Sequence, residues 1–348
     1  MSSGWIWRGR LGSRLVHPRA VWVGLLLAAA CAGLLLVSVM LGKYPIGAGG
    51  VLDALAGRGD PRQGFIIEYL RLPRALLALL AGAALGLSGL LLQTLVRNPL
   101  ASPDVLGMSS GASAAAVFFL SYLTPYMGQH WLPLFAIGGA AAATLAVQVL
   151  AITRRGPGAG ASPTRLVLTG IAVSALMGAC TTAMLASSPS TSMLSAYVWL
   201  VGSVFGATWP EVVSMVLWFL VLLPGLAWVG RAVPAYQLDE LAARGVGVAT
   251  GSLRLQLLAL GVLFAGVAVA HAGAVAFVGL ISPHVARRWA GQGFGGACVA
   301  TALIGAMLVA LADLVGRTLF LPKDIPAGIF VAVLGGAFFI YLLLRRLR

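Results

Sequence analysis

The stretch Ala75–Val96, ALLALLAGAALGLSGLLLQTLV, decides the fold of this chain. It holds 22 residues without one charged side chain, and a helix that spans a membrane needs about 20 apolar residues. Gly82, Gly86 and Gly89 recur every three or four residues along it. Small residues at this spacing let two helices approach closely in lipid. We therefore predict a transmembrane helix with a tightly packed neighbour.

On both sides of this segment the chain continues in long apolar runs. Of its 348 residues, 60% are hydrophobic and 9% are charged, whereas soluble domains have roughly 45–50% apolar and about 25% charged residues. A soluble fold of this composition would expose large apolar patches. We predict an all-α membrane protein. The other charge-free runs are 20–42, 105–153, 166–210, 212–230, 255–286, 289–312 and 325–344.

Three of these runs are too long for one helix, and each contains a break. Pro125 and the following Gly128-Gln129-His130 indicate a turn within 105–153. A polar stretch, 187–192, interrupts 166–210 and is followed by a short re-entrant helix near 193–206. The third break is expected at Ala272-Gly273. About ten transmembrane helices result, with short half-helices, near 21–42, 73–96, 104–124, 131–153, 165–186, 209–230, 252–270, 274–289, 296–317 and 326–345.

The basic residues predict the topology. Lys and Arg concentrate in cytoplasmic segments of membrane proteins, and both ends of this chain are rich in Arg, which favours two cytoplasmic termini and an even number of spans. The net charge of +14 is thereby assigned to topology and lipid headgroups rather than to nucleic acid. We predict a multi-pass protein of the bacterial inner membrane, with a basic cytoplasmic tail at 1–20 and one transmembrane permease domain at 21–348.

Several activities lack the residues that they need. A P-loop requires Lys followed by Ser or Thr, but Lys43 precedes Tyr44 and Lys323 precedes Asp324, so any ATPase must be a separate subunit. No catalytic constellation and no metal-binding spacing of Cys or His is present. An ion-coupled secondary transporter is the alternative of another class, but it calls for carboxylates within the membrane. Asp313 is the one acid well inside a predicted span, and Arg317, one turn later, is expected to neutralise it.

The segment Pro234–Gly247 between the sixth and seventh predicted spans is amphipathic. Leu238 and Leu241 form an apolar side, and Gly245 is placed to end the helix. Such a helix is either a plain surface loop or a docking element for a soluble partner, and the pattern does not separate the two.

A series of motifs resembles one known family, the FecCD-type permeases, which are membrane subunits of ABC importers for iron–siderophore complexes, haem and cobalamin. The resemblance extends over the chain from about residue 40. It departs at Asp324, where Glu commonly precedes the Ile/Leu-Pro pair. The motifs are Arg71–Arg74 (RLPR), Ala81–Gly89, Gln93, Arg97–Gly107 (RNPLASPDVLG), Trp199–Ser203, Leu238–Gly247, Gly279–Arg288, Ile325–Gly328 and Gly335-Gly336.

The resemblance implies a type II ABC importer permease that works by alternating access. The implied partners are two ATP-binding cassette subunits, which bind ATP and Mg, a second permease copy or homologue, and a periplasmic substrate-binding protein. No cofactor is expected on this chain itself. A ferric siderophore is the first choice of substrate, and haem and cobalamin remain alternatives.

The resemblance also implies roles for particular residues. Docking of the binding protein is assigned to Arg71, Arg74 and Arg317, whose alternative role is to anchor helix ends at the headgroups. The cytoplasmic gate comprises Asn98, Pro99, Leu100, Pro163 and Thr164; the first three are alternatively a simple turn. ATPase coupling is assigned to Leu238, Asp239, Glu240, Leu241, Arg244 and Gly245. The translocation path is assigned to Gly170, Ser174, Thr181 and Thr182.

Overall fold

The chain folds into a helical bundle, as a computed structural model that describes residues 5–9, 12–151, 163–188, 190–238 and 240–346 shows. Two short strands precede the helices. The elements are β1 Trp5–Gly9, β2 Gly12–Val16, α1 Pro18–Met40, α2 Ala48–Leu55, α3 Pro61–Phe65, α4 Leu72–Val96, α5 Met108–Phe118, α6 Thr124–Met127, α7 Leu132–Ala151, α8 Pro163–Ala186, α9 Ser190–Val201, α10 Trp209–Val229, α11 Val233–Tyr236, α12 Glu240–Gly245, α13 Thr250–Ala272, α14 Val278–Ala290, α15 Phe294–Thr318 and α16 Ala327–Arg346.

The N-terminal segment contains structure that the sequence analysis did not predict. Strands β1 and β2 pair antiparallel, with Trp5 opposite Val16 and Gly9 opposite Gly12, where we expected only a basic tail. Helix α1 follows at Pro18. Proline suits this first position, because the N–H that it lacks would have no partner within the helix.

The prediction of a membrane protein with about ten spans is confirmed. Seven helical segments in the described residues are long and apolar enough to cross a membrane, and α16 contributes a shorter apolar helix at Ala327–Leu342. The α5–α6 unit and α14 occupy the two remaining predicted spans. Helix α14 has only 13 residues, which makes it about 20 Å long, so it is one of the expected half-helices.

Helix α4 lies at the centre of the bundle. It continues without interruption from α3 through a π-helical turn at Ile66–Arg71, so that one helical rod runs from Pro61 to Val96. Most of its apolar length is buried, and it packs chiefly on α15, α13 and α14. Helix α1, by contrast, is mostly exposed and packs on the outside of α15.

Glycine permits the close contacts of α4, as its spacing predicted. A Cβ added to Gly82 would lie 2.1 Å from the carbonyl oxygen of Gly305 in α15, and one added to Gly89 would lie 1.9 Å from that of Gly279 in α14. No side chain fits in either gap, so backbone rests directly on backbone. This contact replaces the hydrophobic drive that lipid does not provide between helices.

The predicted helix breaks are present and support one another. Helix α13 ends at Ala272, as expected, and the break extends to Phe277. Helix α9 covers Ser190–Val201, a few residues earlier than the expected 193–206, and unwound backbone follows it. Backbone bonds connect these breaks: the Ala274 amide donates to the Trp199 carbonyl at 3.4 Å, and the Gly328 amide at the start of α16 donates to the Gly202 carbonyl at 3.0 Å. Non-helical backbone at membrane depth must be satisfied in this way by protein.

Gly89→Ala should destabilise the protein, because the new methyl group would meet a backbone carbonyl that cannot rotate away. Overpacking of this kind costs about 1–3 kcal/mol. We expect a lower unfolding midpoint for the purified protein in detergent.

The matched control is Gly33→Ala in α1, where nothing lies within 4 Å of the added Cβ. This variant should unfold at or above the wild-type midpoint, since alanine has the higher helix propensity. Equal midpoints for the two variants would contradict the backbone contact between α4 and α14.

Candidate functional site

The predicted site residues lie at both ends of the bundle and along α8. Helix α4 defines the two ends: the Arg74 end, where it begins and α15 finishes, and the Arg97 end, where it finishes. Three docking arginines were predicted at the Arg74 end, and the gate and coupling residues at the Arg97 end.

Arg74 is the centre of a buried ion cluster. Its Nη2 lies 2.7 Å from Asp313 of α15, and its Nη1 lies 2.6 Å from Asp324 in the loop before α16. Five hydrogen bonds connect the guanidinium to the two carboxylates. The Phe205 ring covers its face, with its centroid 5.5 Å away. Arg74 thereby ties α4, α15 and the α15–α16 loop together.

The other two arginines complete this cluster, and both turn inward. Arg71 donates to the carbonyl oxygens of Val39 and Met40, the last two residues of α1, and to that of Tyr44 in the loop that follows. Arg317 donates to Ser38 and Leu41 in the same region and lies 3.5 Å from Asp313. The pairing of Asp313 with Arg317 is thus confirmed, although Arg74 is the closer partner.

The three arginines of the cluster are buried, and their guanidinium groups bind other residues of this chain. Arg71, Arg74 and Arg317 are only 7%, 9% and 9% exposed. Asp324 is the accessible member, with 29% of its side chain exposed. The docking role of the arginines stays a prediction.

The gate residues form a tight turn at the Arg97 end. Arg97 itself is left-handed, with φ +54°, and ends α4. The Asn98 side chain then accepts a hydrogen bond from the Leu100 amide at 2.9 Å, a local bond that favours a turn. Pro99 lies within this turn. Of the second gate pair, the structure shows that Pro163 and Thr164 begin α8.

The coupling segment lies beside the gate turn. Helix α12 covers Glu240–Gly245, Glu240 and Leu241 begin it, and Leu238 just before it is 63% exposed. Arg244 donates to Thr250 at the start of α13. Asp239 lies outside the described residues. The predicted short helix is therefore present.

A contact that the sequence did not reveal joins the coupling segment to the gate. The Arg97 Nη2 donates to the Tyr236 carbonyl at 2.6 Å, and its guanidinium lies 4.6 Å from the centroid of the Tyr236 ring. The Tyr236 hydroxyl donates to the Leu95 carbonyl. Because α11 ends at Tyr236, the segment leading into α12 is fixed to the last turn of α4. The contact therefore connects α12 to the gate turn.

The four path residues on α8 separate into two pairs. Gly170 and Ser174 contact the gate loop, which is the segment Asn98–Gly107: a Cβ on Gly170 would lie 2.1 Å from the Val105 carbonyl oxygen, and the Ser174 hydroxyl donates to the Asp104 carbonyl. Thr181 and Thr182 instead donate to carbonyls of their own helix. Only the first pair is therefore joined to the gate.

Sequence reasoning missed Asp104 in the gate loop. Its carboxylate accepts hydrogen bonds from the Ser109 hydroxyl at 2.6 Å and from the Phe277 amide at 3.2 Å. The available signal was a lone acid directly before the apolar run 105–153, at the first position of the predicted span 104–124. An isolated carboxylate in such a setting calls for a partner.

A groove of about 520 Å³ opens beside the gate turn. Two of the six residues that line it are arginines, and one of them, Arg287, also donates to the Thr94 hydroxyl at 3.4 Å. Within the described residues, no group of His, Cys, Asp or Glu side chains is arranged to hold a metal ion. The groove is lined by Gln93, Pro99, His284, Arg287, Arg288 and Gln292.

Asp313→Asn should be far more damaging than Asp324→Asn. Removing the buried charge leaves two arginines poorly compensated, which costs about 3–5 kcal/mol, whereas the partly exposed Asp324 contributes about 1 kcal/mol or less. Unfolding midpoints in detergent measure the difference. If both variants unfolded at the same temperature, Asp313 would not be the main counter-ion of the cluster.

Comparison with known proteins places this geometry in a family. A model of the FecCD transport family matches residues 25–345. The achromobactin transport system permease protein CbrC of Dickeya dadantii (strain 3937) is 50% identical over 341 residues, which cover 98% of this chain and 96% of the relative. The Fe(3+) dicitrate transport system permease protein FecD of Escherichia coli (strain K12) is 35% identical and covers 91% of this chain and 96% of its own length.

The solved structures agree with the sequence relatives. An inward-facing conformation of a metal-chelate type ABC transporter superimposes with a TM-score of 0.79 at 27% identity, covering 93% of this chain and 99% of the other. The family match extends over nearly the whole length and includes the gate loop, the coupling segment and the arginine cluster. The chain therefore belongs to the FecCD transport family.

Proposed function

We propose that this chain is the membrane subunit of an ATP-driven importer of a ferric siderophore. The observation that carries the proposal is the 50% identity, over 98% of the chain, to a permease of an achromobactin transport system. Other relatives are named for ferric citrate, hydroxamate and enterobactin. The names differ in the chelator, but each denotes an iron or ferric chelate system.

The proposed orientation places the Arg97 end in the cytoplasm and the Arg74 end outside. Arginines are dense at the Arg97 end, where Arg287, Arg288 and Arg97 lie close to the gate turn, and such residues stay preferentially on the cytoplasmic side. Both termini are then cytoplasmic, with the basic tail at 1–20 and the permease domain at 21–348. The protein resides in the inner membrane.

A separate pair of ATPase subunits supplies the energy, binds the ATP and Mg, and docks on the coupling segment. The chain has no P-loop, whereas α12 offers a short helix next to the exposed Leu238. When the ATPases close, α12 shifts. The Tyr236–Arg97 contact passes this shift to the gate turn, so the coupling segment and gate form one mechanical unit.

The outer partner is a substrate-binding protein that docks at the Arg74 end. Arginine suits this role because its planar fork pairs with a carboxylate through two bonds. On docking, an acidic group of the binding protein takes the place of Asp324 on Arg74. This exchange loosens the bond between α4 and the loop before α16.

A second permease, identical or homologous, completes the path along α8 and α16. Both helices carry exposed apolar side chains along their length, and a partner of the same kind covers such faces in a membrane dimer through close packing. Gly170 and Ser174 lie on α8 next to the gate loop, at the place where α8 meets the proposed path. The exposed residues include Leu168, Ile171 and Leu176 on α8, and Val333, Leu334 and Ile340 on α16.

The ion-coupled alternative has little support from the geometry. Asp313, the acid inside a span that such a carrier would use, is 2% exposed and bound to two arginines. Its counter-charges are arginines of the chain itself rather than a transported cation. Haem and cobalamin remain alternative cargoes for the same alternating-access mechanism.

Cells that lack this gene should regain uptake of ferric achromobactin when a plasmid copy is supplied. Uptake of the labelled iron complex is measured beside ferric citrate, a ferric hydroxamate, haem and cobalamin. Each is tested with ATP synthesis intact and with it blocked. We expect restoration for one ferric chelate and its loss when ATP is depleted. Uptake that survives ATP depletion would contradict the assignment to an ATP-driven importer. Restored uptake of haem or cobalamin alone would overturn the proposed cargo.

Leu238→Asp should reduce uptake without reducing the amount of protein in the membrane. The side chain is exposed in the isolated chain, so folding tolerates the change, but a charge would be buried against the ATPase. Loss of a central interface side chain costs about 2 kcal/mol, which corresponds to a fall of more than about tenfold in ATPase binding.

The matched control is Leu238→Met, which preserves the apolar contact. Binding of the ATPase subunit to the purified permease is measured beside uptake. Undiminished ATPase binding by Leu238→Asp would remove Leu238 from the interface.

A further inference from the structure

The gate loop Asn98–Gly107 is not a simple surface turn. After the turn at the Arg97 end it runs back between helices and packs against them with its backbone. A Cβ added to Gly279 of α14 would lie 2.8 Å from the Pro103 ring, and Val105 rests on α8. The loop thus contacts α8 on one side and the start of α14 on the other.

Asp104 is the polar link between this loop and two helix beginnings. Its Oδ1 accepts from the hydroxyl of Ser109 in the first turn of α5. Its Oδ2 accepts from the backbone amide of Phe277, which immediately precedes α14 and lies 173 residues further along the chain. A hydrogen bond is stronger away from water than in it. One carboxylate therefore holds three separate segments together.

Phe277 is held in an unusual backbone conformation. Its φ is +64°, in the left-handed region that side chains other than glycine rarely adopt. Such strain persists only where the surroundings impose it, and it often accompanies function. Here the Asp104 bond secures the backbone, while the ring lies on α16: a Cβ added to Gly335 would be 2.3 Å from both Cβ and Cγ of Phe277. The ring therefore rests directly on the backbone of the last span.

We propose that Asp104, Phe277 and Gly335 form a latch that makes the gate loop, the start of α14 and α16 move as one. Asp104 is the positioning residue of the latch: it touches no substrate in this role, but fixes Phe277, and Phe277 in turn fixes α16. The inference rests on the proposed function, because it describes how the gate of that importer is driven.

The latch completes a continuous series of contacts from the coupling segment to the path. Tyr236 holds Arg97 at the end of α4, Arg97 begins the gate loop, and the loop carries Asp104. From Asp104 the contacts continue through Phe277 to Gly335. A shift of α12 can thereby reach α16, one of the two helices that flank the proposed path. Spatial continuity alone does not prove coupling, so the test must measure it.

A purely static role makes a different prediction from the latch. If Asp104 only satisfies helix ends, its loss lowers stability, and uptake and ATP hydrolysis fall in proportion to the folded fraction. If Asp104 is a latch, its loss leaves ATP hydrolysis running, but the gate opens in fewer of the ATPase cycles. The ratio of substrate transported to ATP hydrolysed then falls, and the amount of folded protein does not affect this ratio.

The experiment uses the complete transporter in proteoliposomes, with its ATPases, its binding protein and the ferric chelate identified by the uptake assay. Asp104→Ala removes the latch, and Gly335→Ala displaces the Phe277 ring without touching Asp104. Asp104→Ala should lower the transport-to-ATP ratio about tenfold, the upper end of what losing one hydrogen bond costs. Gly335→Ala breaks no hydrogen bond but should lower the ratio in the same direction, because it separates the Phe277 ring from α16. Asp104→Asn should recover most of the ratio, since its amide oxygen can accept from the Phe277 amide.

The matched control is Gly33→Ala in α1, where nothing lies within 4 Å of the added Cβ, and it should give the wild-type ratio. A wild-type ratio in Asp104→Ala, or equal ratios for Gly335→Ala and Gly33→Ala, would overturn the latch. The glycine pair decides the matter even if Asp104→Ala does not fold. Absence of ATP-driven uptake in the wild-type transporter would instead overturn the proposed function, so the two failures are distinguishable.

Discussion

The direct contact of backbone with backbone along α4 is the constraint on which the rest of the structure depends. Lipid is as apolar as the side chains, so helices in a membrane gain little from merely burying Leu against Leu. Gly82 and Gly89 instead let α15 and α14 approach until carbonyl oxygens fill the space of a side chain. This close approach fixes α4 as the axis of the bundle. It also brings Arg74 close to Asp313, which lies near the C-terminal end of α15.

Where the helices are broken, the unwound backbone forms hydrogen bonds that connect separate parts of the chain. The gate loop and the stretch after α13 leave amides and carbonyls without helical partners, and in the apolar core of a membrane each one must find another group. Asp104 meets part of this requirement, as do the bonds between the ends of α9 and α16. The segments that satisfy one another in this way are also those best placed to move together.

Much of the fold could be predicted from the sequence, because hydropathy records which segments leave water. The charge-free runs gave the spans, and polar or small residues gave the breaks, including the end of α13 at Ala272. The short helices α2 and α3 escaped prediction, since their eight and five residues are too few to stand out as a spanning apolar run. The hairpin before α1 also escaped, because only its basic residues were considered.

The site was less predictable than the fold for a physical reason. An arginine in a sequence shows its charge but not its partner, and Arg74 is paired with an acid 239 residues away. The motifs singled out the three arginines, but the inward orientation of their side chains depends on the tertiary structure. Asp104 is a similar case: its role depends on Phe277, whose left-handed backbone no sequence pattern announces.

The arginine cluster is short of one negative charge. Its five side chains, three guanidinium groups and two carboxylates, carry a net charge of +1 close to the end of the bundle. A positive charge with low-dielectric walls around it attracts anions over about a Debye length, roughly 8 Å at physiological salt. Under the proposed docking, this surplus would favour acidic over basic surfaces of the binding protein during the first encounter, and its effect would weaken as the salt concentration rises.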